Sequence, residues 1–150
     1  MFEPTSQPKQ NDNVLNLCHM LSNRIGKAFL KELELKDVSV ADWRVLMTLT
    51  QHAPTSGINI TSRWAMDKMT INRSIKSLHK RGLIQKKQNR KDKRTVDLIL
   101  TPLGNSLYSE LLPIANDRFH KIMESLNKVE EKNLRLILLK IINHIDKTTE

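Results

Sequence analysis

Basic side chains that suit contacts with phosphates and bases are concentrated between Arg63 and Arg94. This stretch holds twelve Lys or Arg against two Asp, whereas the other 118 residues hold thirteen Lys or Arg against fourteen Asp or Glu. The formal net charge of +9 is therefore +10 in this stretch and −1 elsewhere. Charge that served only solubility would be spread along the chain, so this concentration favours a polyanionic partner such as nucleic acid.

A helix predicted over residues 68–80 carries side chains that can read the edges of DNA bases. Arg73 can donate two hydrogen bonds to guanine, and Asn72 can pair in a similar way with adenine. Met69 and the methyl group of Thr70 can contact the thymine methyl, while the lysines suit phosphates. The predicted DNA-contacting residues of this helix and of the segment before it are Ser62, Arg63, Lys68, Met69, Thr70, Asn72, Arg73, Lys76 and Lys80.

Two short segments after this helix, 83–88 and 95–100, predict an antiparallel hairpin. In the second segment Val96, Leu98 and Leu100 occupy alternate positions, which predicts one packed face of the sheet. The tip of the hairpin is basic and can reach the narrow minor groove, where the negative potential attracts Arg. The tip residues predicted to contact DNA are Arg90, Lys91, Lys93 and Arg94.

Helical periodicity and capping residues predict the elements that position these groups. Ser39 and Asp42 resemble a capping box, and Asp67 is a good N-cap for the base-reading helix. Residues 53–57 predict a turn, and Pro113 predicts a kink in a long helix. The predicted helices cover residues 14–35, 39–52, 58–64, 68–80, 103–126 and 129–145.

The order of the elements predicts a winged helix-turn-helix. Ile71, Ile75 and Leu78 form a buried stripe on the helix at 68–80, which leaves the basic face outward. A short helix and turn precede this helix and the hairpin follows it, as in that class of DNA-binding proteins. We therefore expect a mainly α fold with a small β-wing, formed by one domain over 13–150 after a disordered tail at 1–12.

The composition argues against several other classes of protein. No apolar run reaches the length of a membrane span, and the N-terminus lacks the apolar core of a secretory signal, so we expect a cytoplasmic protein without a membrane partner. A single cysteine and histidines without ligand spacing predict no metal site. No phosphate loop, dinucleotide motif or nucleophile elbow is present, so we expect neither an enzyme nor a cofactor.

The stretch ITSRWAMDKMTINRSIKSLHKRGLIQKKQNRKDKRTVDLILT, residues 60–101, resembles the winged-helix core of the MarR family of bacterial transcriptional regulators. The matching motifs are MDKMTINR, KRGLI, DKR at the wing tip and LILTPLG, with VSVADWRVLMTL matching the helix before the core. The resemblance covers about residues 14–146. It implies that Asp92 orders the wing and that Arg94 is placed in the minor groove.

The resemblance also implies an obligate homodimer that binds a palindromic operator. Residues 13–38 and 102–147 would form the dimerisation helices, and residues 39–101 the winged helix-turn-helix. The wide apolar stripe on the last helix agrees with dimerisation, because it exceeds what a monomer of this size needs; an ordinary intrachain core is the alternative. Members of the family are usually repressors released by a small anionic or phenolic ligand, or by thiol oxidation.

An effector site is predicted around Arg24, because in relatives an Arg on the first helix holds the carboxylate of an aromatic ligand. The motifs ADWRVLM and AMDKMTINRSI look most like the branch that controls aromatic-acid catabolism, including hydroxycinnamate regulators. The alternatives are that Arg24 pairs with Glu110 or Asp117 and that Trp43 belongs to the core. The predicted effector-binding residues are His19, Ser22, Asn23, Arg24, Trp43 and Met66.

Two other functions remain open at this stage. Cys18 could make the protein a thiol-based redox sensor, although a lone cysteine on a helix is usually small core filler. A non-specific architectural DNA-binding protein would carry the same basic surface, but its affinity would fall steeply with salt and show little sequence preference.

Overall fold

The computed structural model describes residues 7–149, in which helices predominate and a small antiparallel sheet forms the wing. This confirms the predicted fold class. Of the predicted tail, residues 1–6 lie outside the described part. The elements are α1 (Val14–Glu34), α2 (Val40–His52), β1 (Thr55–Ser56), α3 (Gly57–Trp64), α4 (Lys68–Lys80), β2 (Ile84–Gln88), β3 (Val96–Leu100), α5 (Pro102–Met123) and α6 (Lys128–Thr148).

The chain divides into two compact units, residues 1–114 and 115–150, and the division falls within α5. The first unit contains the predicted winged helix-turn-helix. The expected single domain over 13–150 stays a prediction. None of the helices within residues 7–149 has the length and apolar character that crossing a membrane requires.

Local capping explains where α2 and α4 begin. The Ser39 hydroxyl accepts a hydrogen bond from the Asp42 amide at 3.0 Å, and the Asp42 carboxylate accepts one from the Ser39 amide at 2.9 Å. Asp67 caps α4 by accepting from the Thr70 amide at 2.9 Å. Each cap satisfies amides that the first helical turn leaves without intrahelical partners, so both predicted starting points are confirmed.

The predicted turn at 53–57 is wrong at two positions, because Thr55 and Ser56 form β1. This strand pairs antiparallel with β3, with Thr55 opposite Leu98 and Ser56 opposite Asp97. β3 is therefore the central strand of a sheet ordered β1-β3-β2. Two residues are too few to produce an alternating pattern, and their partner lies about forty positions along the chain, so local sequence gave no signal.

The expectation of one packed face on β3 holds only toward the end of the strand. Leu98 is 2% exposed and Leu100 is half-buried, but Val96 is 46% exposed. Val96 pairs with Gln88, the last residue of β2 before the wing tip. The predicted burial of Val96 is therefore wrong.

The core of the first unit joins α1, α2, α4 and α5. The α4 residues Ile71, Ile75 and Leu78 are buried as predicted. Each fully buried aliphatic side chain of this kind contributes about 1.5–3 kcal/mol relative to exposure, so the stripe fixes which face of α4 points outward. The other fully buried side chains include Leu33, Val38, Val45, Leu46, Leu49, Ile60, Ile84 and Leu111.

An aromatic cluster extends this core. The Trp43 ring stacks on Tyr108 at 5.2 Å between centroids and meets Phe29 edge-on at 5.4 Å. Burial raises the pKa of the Tyr108 hydroxyl above its ordinary value of 10.0. Stacked and edge-to-face rings add to the stabilisation from area burial, so Trp43 ties α2 to α1 and α5.

The second unit contains the end of α5 and all of α6. Asn127 caps α6 and forms a capping box with Glu130, whose side chain accepts from the Asn127 amide at 2.8 Å. Among its described residues α6 buries none, although its predicted stripe is present. Leu134 and Ile141 are half-buried. The exposed large apolar residues of α6 are Val129, Leu136, Ile137, Leu138, Leu139, Ile142 and Ile145.

Candidate nucleic-acid interface

The outer face of α4 presents the predicted base-reading residues to solvent. Met69 is 70% exposed, and Asn72 and Arg73 are also exposed. The Thr70 hydroxyl donates to the Asp67 carboxylate at 3.1 Å, so this hydroxyl is part of the N-cap of α4. The other predicted residues of this surface, Ser62, Arg63, Lys68, Lys76 and Lys80, are exposed.

A buried polar contact fixes α4 against α2. Ser74 lies on the inner face of α4 and is 5% exposed, and its hydroxyl donates a hydrogen bond to the Asp42 carboxylate, which is 6% exposed. The other oxygen of the same carboxylate accepts from the Ser39 amide. Asp42 therefore caps its own helix and also holds α4, a second role that the capping pattern could not reveal.

The turn between α3 and α4 is held by a network around Arg44. Its guanidinium donates to the Met66 sulfur at 3.0 Å and lies 5.1 Å from the centre of the Trp64 ring. The indole nitrogen of Trp64 donates to the hydroxyl of Thr48 at 2.9 Å. Ala65, at the end of α3, adopts a left-handed conformation with φ of 47°. These contacts connect α2, α3 and the turn that precedes α4.

Asp92 folds the wing tip back on itself. One carboxylate oxygen accepts from the Arg94 amide at 2.9 Å, and the other accepts from the Thr95 hydroxyl at 3.0 Å. This is the geometry that a bracing residue requires. Asp92 is exposed, as are the four predicted cations Arg90, Lys91, Lys93 and Arg94.

Asn89 is a second brace in the wing, which sequence reasoning missed. Its amide nitrogen donates to both Asp97 oxygens, at 3.1 and 2.9 Å. Its carbonyl oxygen accepts from the amides of Lys91 and Asp92, at 2.8 and 2.9 Å. An Asn at the start of a hairpin loop is a known turn signal, because its side chain bonds the backbone two residues on. That signal could have identified the turn, but not the pairing with Asp97.

The predicted effector residues do not share one environment in the structure. His19, Ser22, Asn23 and Arg24 are exposed on α1. The Arg24 guanidinium donates to the carbonyl of Met20 at 3.3 Å.

Two of the predicted effector residues contact other groups. Trp43 packs in the aromatic cluster of the core, which is the alternative that the sequence left open. Met66 accepts from Arg44 and lines a cleft of about 490 Å³ together with Thr70 and Arg73. Contact of these two residues with an effector stays a prediction.

Both acids that were considered as partners of Arg24 form ion pairs with lysines. Glu110 lies 2.8 Å from the Lys36 ammonium, and Asp117 lies 2.8 Å from that of Lys121. The hydrogen bond from Lys121 lowers the pKa of Asp117. Cys18 is a half-buried free thiol, and among residues 7–149 no group of three His, Cys, Asp or Glu could hold a metal ion.

A helix-turn-helix with an exposed basic helix, followed by a two-stranded wing, defines the winged helix-turn-helix class. Residues 38–96 match the model of the MarR family. This match and the fold confirm the resemblance to the MarR family that the winged helix-turn-helix segment shows in the sequence.

Three similar proteins extend this comparison. An uncharacterized HTH-type transcriptional regulator of Staphylococcus aureus is 36% identical over 76 residues, 51% of this chain and 52% of that protein. The chain therefore spans about half the length of this relative. The transcriptional repressor MprA of Escherichia coli is 23% identical over 141 residues, 93% of this chain and 80% of MprA.

The third is a solved structure that addresses how 6-hydroxynicotinic acid regulates the DNA binding of Bordetella bronchiseptica BpsR. Its TM-score is 0.76 and its identity 25%, and the match covers 87% of this chain and 98% of the BpsR chain.

Proposed function

We propose that this protein is a sequence-specific DNA-binding transcriptional regulator rather than an enzyme. The observation that carries the proposal is the outer face of α4, where Asn72 and Arg73 are exposed above a buried apolar stripe. The +10 charge between Arg63 and Arg94 supplies the attraction to DNA. The DNA binding of BpsR supports the proposal by analogy.

Each surface has its own part in the proposed complex. The α4 face enters the major groove, where Arg73 reads a guanine and Lys76 and Lys80 neutralise phosphates. The wing cations enter the adjacent minor groove, and Arg94 reaches deepest while Asp92 holds its backbone. Sequence preference then comes from α4, and much of the affinity comes from the lysines.

A homodimer on a palindromic operator is the proposed assembly. Within the first unit, α1 leaves Val14, Leu15, Leu21 and Ile25 44–64% exposed. Within the second unit, α6 has apolar residues exposed along its length. Surfaces of this kind rarely remain uncovered in a soluble monomer, and a symmetric dimer would bury the same patches on both copies.

The proposed role is that of a repressor released by an aromatic carboxylate held by Arg24. Two relatives support this by analogy. MprA is a transcriptional repressor. The DNA binding of BpsR is regulated by 6-hydroxynicotinic acid, which is an aromatic carboxylate. A guanidinium can clamp a carboxylate with two parallel hydrogen bonds, so an exposed Arg on α1 is chemically suited to this task.

Selection of duplexes from a random pool, followed by titration of the selected operator, tests the proposed function. We expect a palindrome with half-sites about one helical turn apart, bound at least about 10³-fold more tightly than unrelated duplex. Arg73→Ala should cost about 1–3 kcal/mol on the operator and relax preference at one base per half-site. Lys80→Ala is the matched control, which should weaken every sequence equally.

One result would contradict the proposed function, and another would contradict the role given to Arg73. Selection without enrichment, with affinity that depends on salt alone, would favour an architectural DNA-binding protein. A uniform loss of affinity in Arg73→Ala would remove Arg73 from base reading.

A further inference from the structure

A cleft of about 300 Å³ lies between α4 and the wing. Asn72 lines it from α4, Lys86 from β2 and Arg94 from the wing, while Ile58 and Val96 add apolar wall. These residues come from both of the elements that the proposed function places in DNA grooves. The cleft therefore lies where a ligand would touch both reading elements.

The walls of this cleft combine positive charge with exposed apolar surface. Lys86 and Arg94 are exposed cations, and no acidic residue is among the residues that line the cleft. Ile58 is 71% exposed and Val96 is 46% exposed. A ligand that fits must offer anionic groups alternating with apolar ones. A sugar–phosphate strand has that chemistry, because each phosphate is followed by a deoxyribose with C–H surface.

We infer that this cleft holds the backbone strand that separates the major groove read by α4 from the minor groove reached by the wing, with Lys86 contacting a phosphate. The inference rests on the proposed function. A helix in one groove and a wing in the neighbouring groove must straddle the strand between them. Val96, whose exposure contradicted the packing pattern, then contacts a sugar of that strand.

Lys87 provides a matched control on the same strand. Successive residues of a β-strand point to opposite faces, and both lysines are exposed. Lys86 lines the cleft beside α4, whereas Lys87 lines a different cleft that contains Asn59, Asn89 and Asp97. Arg90 and Lys91 also line that second cleft, but no residue of α4 does, so the two clefts differ in position rather than in net charge. The two lysines therefore share charge, strand and exposure but differ in the face that they occupy.

The test compares Lys86→Gln, Lys86→Arg and Lys87→Gln on the selected operator and on an unrelated duplex, over a series of salt concentrations. Lys86→Gln should weaken binding to both duplexes by the same factor, roughly tenfold or more for a lost charge-assisted contact. The magnitude of the slope of log affinity against log salt should fall by about 0.9 for each contact removed. Lys86→Arg should restore both the affinity and the salt slope. Lys87→Gln should stay close to wild type in both.

The possible failures are distinguishable. Equal losses in Lys86→Gln and Lys87→Gln, with wild-type DNA binding intact, would overturn this inference and leave the proposed function standing. A loss in Lys86→Gln that depends on base sequence would also overturn it, because a phosphate contact carries no sequence information. A wild-type protein that binds neither duplex would overturn both proposals. Thermal unfolding of each variant checks that the fold is unchanged, as expected for exposed positions.

Discussion

Asp42 illustrates how a single residue can connect local and tertiary structure. Its carboxylate caps α2 through the Ser39 amide and holds α4 through the Ser74 hydroxyl. A buried carboxylate is costly unless its oxygens are hydrogen-bonded, and each of these partners satisfies a different oxygen. The orientation of α4 therefore depends on a residue that is not among those expected to contact DNA.

Ser74→Ala should destabilise the protein by about 1–3 kcal/mol, because it leaves a buried oxygen of Asp42 without its partner. Urea unfolding, compared with the wild type, measures this loss. Ser77→Ala is the control, since Ser77 lies on the same helix but is exposed, and it should change stability by no more than about 0.5 kcal/mol. Equal stabilities of the two variants would show that the buried contact contributes nothing.

Tyr108 should titrate above its ordinary pKa, because burial disfavours its charged form. A group whose folded pKa is raised contributes stability that is present below its unfolded pKa near 10 and is lost as pH rises through the folded pKa. Tyr108 is the single tyrosine of the chain, so tyrosinate absorbance reports on it alone.

The midpoint in the native protein should exceed 10.0 and return to that value in urea. Tyr108→Phe should lose less stability than the wild type as the pH rises above about 10. A native midpoint equal to the one measured in urea would contradict the burial effect.

At the scale of elements, the outer end of the wing is stabilised by side-chain hydrogen bonds rather than by a packed core. Val96 at its outer end is exposed, while Asn89 and Asp92 bond the loop backbone. Two-stranded ribbons are marginal without such support. The position of the wing cations is therefore set by a few polar contacts, which makes those contacts good targets for mutation.

Asp92→Ala should weaken operator binding although it removes a negative charge close to a polyanion. Simple electrostatics predicts the opposite sign, so tighter binding would contradict the bracing role. Asn89→Ala separates the two effects, because it removes four hydrogen bonds of the loop without changing the charge. We expect weaker binding in that variant as well, measured by fluorescence anisotropy at fixed salt concentration.

At the scale of the whole molecule, a ligand must bind unequally to two arrangements of the proposed dimer to act as a switch. It can shift the equilibrium only by its difference in affinity for the DNA-binding and the released arrangement. The proposed ligand contact is Arg24 on α1, outside the winged helix-turn-helix.

Arg24→Ala should abolish release of the operator by hydroxycinnamate-like acids and leave operator affinity and dimerisation nearly unchanged. The reason is that the guanidinium supplies the charge for the carboxylate but belongs to neither reading element. Titration of the operator complex with ligand measures this, and sedimentation checks the dimer. Cys18→Ser should retain the ligand response. Release by organic peroxide alone, lost in Cys18→Ser, would instead favour thiol sensing.

The sequence by itself determined the helices, the hairpin and the location of the basic surface. Caps such as Asp67, the stripe of Ile71, Ile75 and Leu78, and the charge between Arg63 and Arg94 are signals of short range, and each predicted its feature correctly. The family motifs lie in the same segment, so the class of protein could also be recognised before the fold.

Only the tertiary structure decided which distant groups meet. The pairing of β1 with β3, the bond between Ser74 and Asp42 and the stack of Trp43 on Tyr108 each join residues at least thirty positions apart. Periodicity reports which face of an element is apolar, but not which partner covers it. The exposure of Val96 follows the same rule, because alternation along β3 could not reveal where the helices stop covering the sheet.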